Sequence, residues 1–154
     1  FETPVRFRNR DFGGVTVDGR SAVMREGAFF QSVHNISVVG GIFGRTDRDT
    51  RDWGTLRVDN SSHVSISGAT VIGNGNSLGA GIRIARSGYV TVRDNNLSGH
   101  LGSIMLLSST NSLITRNQMT ESASDGIQIV DSHRSIVSAN TCNWSVRVGN
   151  NHPD

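Results

Sequence analysis

Two stretches, DGIQIVDSHRSIVSANTC (Asp125–Cys142) and GIRIARSGYVTVRDNNL (Gly81–Leu97), follow one pattern. Each runs Gly-Ile-polar-Ile, a short polar turn, further alternating apolar residues, an Asn, and then one more apolar residue. Aligning the first apolar position of the Gly-Ile-polar-Ile segment through the chain gives Ala28, Leu56, Ile82, Ile104 and Ile127, at spacings of 28, 26, 22 and 23. Two residues on stand Phe30, Val58, Ile84, Leu106 and Ile129, all apolar. A separate column further along each unit, Phe43, Val71, Leu97, Met119 and Cys142, repeats the same spacings. Columns this far apart keep register through five units only if the chain is a repeat. Val5 and Phe7 begin an earlier, degenerate unit.

The period dictates the architecture. Alternating residues of a strand share a face. A unit of 22–28 residues holds about three short strands with turns between them and cannot bury its inner face alone. Stacked coils, each offset by roughly 4.8 Å, pair every strand with its counterpart above and below. Parallel strands need long connections, and here the rest of the coil is the connection. Asn95, Asn117 and Asn140, spaced 22 and 23, form a further column. Asn tolerates left-handed backbone and can bond its equivalent one coil away.

The pattern Leu-x-Val-x-Asn-Ser-x-x-Val-x-Ile-x-Gly (Leu56 to Gly68) and its echoes resemble the right-handed parallel β-helix, the pectate-lyase-like superfamily. The resemblance runs from about Val5 to Cys142, and no individual family within it stands out. The expectation is an all-β fold, a right-handed solenoid of about five to six coils, forming a single domain over residues 1–154. The hand comes from the resemblance and from the crossover rule. A leucine-rich repeat is excluded, because the units use Ile, Val and Ser in extended stretches rather than a dense leucine pattern.

Composition agrees. With 18 Gly, abundant Ser and 35% apolar residues, long helices are disfavoured. No run of 18 apolar residues exists, so no membrane-spanning helix and no membrane partner are expected. All fifteen basic residues are Arg. Arginine's planar fork suits carboxylate, sulfate or phosphate, although a genomic bias toward Arg would give the same count. Thirteen acids balance and disperse the charge, so a nucleic-acid partner is not expected. The single Cys142 excludes an internal disulfide framework, and its column makes it a small core residue. The chain opens on Phe1 without a leader and stops at NNHPD (150–154), which suggests a segment of a longer protein with uncapped coil ends able to self-associate.

Candidate chemistry lies outside the core columns. The outward residue between the paired apolar positions reads Phe29, Arg57, Arg83, Met105 and Gln128. Arg57 and Arg83 on adjacent coils repel unless an anion or carboxylate neutralises them. Either the pair binds an acidic polysaccharide, or Asp59 or Asp52 neutralises it. The loops preceding this strand offer Trp53, His100, Asp125, His152 and Asp154 at one rim. Asp125 stands at the mouth of its strand, and Asp154, one 29-residue unit on, would precede the next. Two such carboxylates could serve as an acid/base pair. SDGIQI resembles the Asn-Thr-Asp-Gly-Ile segment of polygalacturonases, but the family's later aspartate pair and basic motifs are not in order here. In lyases and epimerases of this fold a base abstracts a proton alpha to a carboxylate that Arg or a metal neutralises; His100 or His152 as base and Arg83 as neutraliser match that outline. Trp53 and Tyr89 are candidate sugar-stacking residues. No cofactor is expected: calcium has only the loop Asp47 to Asp52, whose interleaved arginines repel a cation. No zinc spacing, phosphate loop or Ser-His-Asp order is present.

Two functions follow as expectations. One is an extracellular, cell-surface or periplasmic polysaccharide-processing protein: a lyase, epimerase or glycoside hydrolase acting on an acidic polysaccharide. Its catalytic candidates are Asp125, His100, Asp154 and His152, and its substrate-binding candidates are Arg57, Arg83, Gln128 and Trp53. The other is a non-catalytic carbohydrate-binding or structural solenoid, such as an adhesin or phage tail fibre.

Overall fold

The computed structural model describes residues 4–44, 54–143 and 146–149, apart from the side chains of 76–78. The described residues are strand and turn throughout, wound into a parallel β-solenoid of about six turns. In chain order the strands are β1 (Val5–Asp18), β2 (Val23–Met24), β3 (Ala28–Val39), β4 (Ile42–Gly44), β5 (Gly54–Asp59), β6 (Ser62–Ser67), β7 (Thr70–Ala85) and β8 (Thr91–Arg93). They continue as β9 (Asn96–Leu107), β10 (Leu113–Thr115), β11 (Gln118–Thr120), β12 (Ile127–Val130), β13 (Ile136–Ser138), β14 (Thr141–Cys142) and β15 (Val146–Gly149).

Three faces result, each built of coil-to-coil parallel pairs. On the first, Val5, Ala28, Leu56, Ile82, Ile104, Ile127 and Val146 lie opposite one another rung by rung. The second carries Val17, Val38, Ile66, Val92, Ile114 and Val137. The third carries Met24, Phe43, Val71, Leu97, Met119 and Cys142. All three columns point inward, and their middle members are closed to solvent. Burying a side chain of this size contributes about 1.5–3 kcal/mol. In the first two coils aromatics fill the same space: Phe7 and Phe30 stack with centroids 4.8 Å apart.

The chain turns its corners on single left-handed residues. Ser32, Asn60, Arg86, Ser108 and Asp131 form one corner column, and Asn35, His63, Tyr89, Asn111 and Arg134 a second, with φ between 46 and 55°. Left-handed backbone costs a non-glycine residue roughly 1–2 kcal/mol. The coil stack holds them there: the N–H groups of Arg86 and Tyr89 donate to the carbonyls of Leu107 and Thr110 one coil on, and the other corners repeat this.

Between the corners run polar ladders. Ser61 Oγ accepts the Val33 N–H and donates to the Asp59 carbonyl, and Ser87 and Ser109 repeat this arrangement. The asparagine column is likewise bonded. Asn117 Oδ1 accepts both the backbone N–H and the side-chain amide of Asn95, while Asn117 Nδ2 donates to Val92 O and to Asn140 Oδ1. The buried Ser and Asn side chains of these ladders thus find partners on neighbouring coils.

Candidate functional site

The outward side of the first face is a continuous two-column strip. One column reads Arg6, Phe29, Arg57, Arg83, Met105, Gln128 and Arg147; the other reads Arg8, Gln31, Asp59, Ala85, Leu107, Val130 and Gly149. Alternation along each strand puts these side chains outside by the same rule that puts their neighbours inside.

Arg57 and Arg83 occupy adjacent rungs, and Asp59 resolves their repulsion. Arg57 Nε donates to one carboxylate oxygen of Asp59, and Arg83 Nη1 donates to the other at 2.7 Å. The Asp59 side chain is only 4% exposed, and Arg83 is 15% exposed with a buried Nε that lacks an acceptor. One carboxylate thus serves two guanidiniums. Beside them Arg6, Arg8, Phe29, Gln31 and Arg57 surround a cavity of about 190 Å³. The Arg6 guanidinium lies 4.7 Å over the Phe29 ring, a cation–π contact that anchors it at the cavity wall. Arg6 and Arg8 are functional candidates that the reading of repeats passed over. The alternation Val5-Arg6-Phe7-Arg8 was the signal.

Three rungs along, a second cavity of about 250 Å³ is lined by Leu101, Met105, Asp125, Gln128 and Arg147 among others. Here the structure brings Asp125 and Gln128 together. The Asp125 carboxylate is 20% exposed and lies 4.0 Å from Arg147 Nη1.

His100 departs from expectation. The SGHLG segment is not a rim loop but part of β9, and the His100 ring is 2% exposed. Its slot is cut by glycines. A Cβ on Gly81 would stand 3.1 Å from His100 Nδ1, and one on Gly73 3.0 Å from Cδ2. His100 Nε2 lies 3.2 Å from Thr55 Oγ1, and Nδ1 has no partner among the described residues. Burial holds the imidazole pKa down to about 4. A ring sealed from solvent cannot meet a polymer, so His100 is not a base acting on substrate.

The same burial sets a pH dependence. The unfolded imidazole takes a proton near pH 6.5, whereas the folded one resists until about 4. Stability should therefore be full above about pH 6.5, fall by roughly 3 kcal/mol as pH drops to about 4, and level off below. Urea unfolding of His100→Gln across that window should show the slope flattened. The carboxylates of Asp11, Asp18 and Asp94, all held below their usual range by hydrogen bonds, titrate at lower pH and act outside this window.

On the first face the strand next to Ile127–Val130 begins at Val146, nineteen residues on, where a 29-residue unit was extrapolated. His152, Asp154, Trp53 and the loop Asp47 to Asp52 lie outside the described residues.

A family model described as periplasmic copper-binding protein (NosD) matches residues 12–149. No curated protein matches the chain. Among solved structures, a protein from Parabacteroides merdae provisionally assigned as a glycosyl hydrolase is similar in fold. Its TM-score is 0.51 at 10% identity, covering 90% of this chain and 81% of that one. Copper sites use thiolate, thioether and imidazole donors brought together. Among the described residues no three His, Cys, Asp or Glu side chains gather. Met119 and Cys142 adjoin only within the apolar column of the third face, and His34 Nδ1 is engaged by Ser62 Oγ at 2.7 Å. The described residues do not supply a copper donor set.

Proposed function

The chain belongs to the NosD family, a family of periplasmic right-handed β-helix proteins, and from that premise we propose that it binds an anionic polysaccharide outside the cytoplasm, along the outward strip of its first face. The observation that carries this is the run of arginines Arg6, Arg8, Arg57 and Arg83 along one face, of which Arg57 and Arg83 share the Asp59 carboxylate. Guanidiniums held on rigid strands match carboxylate or sulfate bidentately, and their spacing is that of the rungs. The glycosyl hydrolase assignment of the Parabacteroides protein of similar fold supports a saccharide as the ligand. Binding is favoured over turnover because, among the described residues, the second cavity is lined by one carboxylate, Asp125, and His100 is buried elsewhere.

Polygalacturonate binding followed by titration calorimetry tests this. Arg8 is exposed, and its only role in this reading is to meet the ligand. Losing a charge-assisted hydrogen bond costs about 1.5–3 kcal/mol, so Arg8→Ala should weaken binding roughly 10- to 100-fold. Affinity should also fall with added salt. Equal affinity for polygalacturonate and an uncharged glucan, or an unchanged Arg8→Ala, would overturn the proposal. Release of an unsaturated uronate product, abolished by Asp125→Asn, would replace it with the lyase reading.

A further inference from the structure

The second corner column carries a stack of rings that stops short. His63 and Tyr89, on adjacent coils, lie parallel with centroids 4.8 Å apart and planes within 7°. Tyr89 is 56% exposed. The next member of the column is Asn111, and the one after it is Arg134. The coil carrying Asn111 presents only short polar side chains at this edge, Ser108, Thr110 and Asn111. The rung beyond presents exposed His133 and Arg134. Rungs repeat at roughly 4.8 Å, so the far face of Tyr89 stands about 10 Å from the Arg134 rung. That is room for one more ring, at the spacing His63 and Tyr89 already keep.

Several polar groups elsewhere on the surface are paired, whereas those around this open rung are not. Arg20 pairs with Asp18, Arg93 and Arg116 with Asp94, Arg86 with Asn60, and His34 with Ser62. The Tyr89 hydroxyl and the side chains of Thr110, Asn111, His133 and Arg134 make no hydrogen bond or ion pair among the described residues. A flat apolar ring face beside unengaged hydroxyl, amide and guanidinium groups suits a ligand that is itself a ring edged with hydroxyls. An aromatic side chain from a protein would leave those polar groups unmet.

We infer that the open rung over Asn111 is a second saccharide site, in which a uronate pyranose stacks on Tyr89, its hydroxyls meet Thr110 and Asn111, and its carboxylate meets Arg134. This site lies off the first face and does not depend on the arginine strip.

Tyr89 is the single tyrosine in the chain, so its ring resonances report on this site alone. A galacturonate hexamer should perturb the Tyr89 ring resonances, show upfield shifts of its own protons stacked on that ring, and receive saturation transfer from it. Tyr89→Ala should abolish that transfer and weaken binding at this site at least tenfold. Asn111→Tyr adds a ring at a position with nearly the backbone angle of Tyr89, φ 51 against 55°, and should occlude the rung while leaving the fold intact. Arg134→Gln should reduce affinity for the galacturonate hexamer but not for a neutral cello-hexaose. Arg8→Ala should weaken binding at the first face while the saturation transfer from Tyr89 persists, which separates this site from the first. Unmoved Tyr89 resonances at saturating hexamer, or undiminished transfer in Asn111→Tyr, would overturn the inference, as would equal loss of both ligands in Arg134→Gln.

Discussion

Asn117→Leu should lower the unfolding free energy by about 4 kcal/mol, since each buried polar group stranded costs about 1–3 kcal/mol. Asn117 is closed to solvent and bonds in both axial directions. Leucine fills similar space but withdraws Oδ1 from the Asn95 N–H and Nδ2 from Val92 O. Denaturant titration would measure the loss. A double-mutant cycle with Asn95→Ala should show coupling of at least about 1 kcal/mol, because one amide polarises the next. A loss below about 1 kcal/mol would mean that the ladder accompanies the stack without stabilising it.

Gly27→Ala should be nearly as damaging. Gly27 has φ +74°, and a Cβ there would stand 2.0 Å from the Thr55 carbonyl oxygen on the adjoining coil. The obstacle is backbone, so no rotamer relieves it. Left-handed backbone costs about 1–2 kcal/mol and overpacking about 1–3 kcal/mol, giving roughly 2–5 kcal/mol together. Gly14 isolates the first term: φ is +87° and nothing lies within 4 Å of its Cβ position. Gly14→Ala should therefore cost only about 1–2 kcal/mol. Equal losses at the two positions would show that the close approach between coils carries no energy. Against a typical total of about 5–15 kcal/mol, the Gly27 loss would also show as a large fall in thermal midpoint.

The inward columns of the first and third faces were legible because period-two alternation and a fixed spacing reinforce each other from coil to coil. The asparagine ladder was legible for the same reason. The corners were not. Sequence rules look for Gly or Asn in left-handed backbone, and here Arg86, Tyr89, Arg116 and Arg134 adopt it. Bonds to the neighbouring coil impose that conformation, and a single unit read alone cannot show them. The Arg57–Asp59–Arg83 arrangement stood among the expected alternatives, since one-rung neighbours follow from register alone. His100 was misplaced because Ser98, Gly99 and Gly102 around it read as loop; only the packing of Gly73 and Gly81 against its ring reveals a slot. Arg6 and Arg8 were overlooked because Val5 and Phe7 read only as a degenerate unit, outside the aligned columns. The 29-residue unit extrapolated toward Asp154 is longer than the last described coil, in which Ile127 pairs with Val146.

Within the asparagine column Asn95 and Asn117 each pass an amide N–H to the carboxamide oxygen of the next member, so the oxygens of Asn117 and Asn140 are turned toward the preceding coil. The dipoles therefore add along the axis instead of cancelling, and the rod acquires a head and a tail at the level of individual side chains. A graft of coils from elsewhere would join this one in a single orientation only, and an inverted graft would set oxygen against oxygen at the seam.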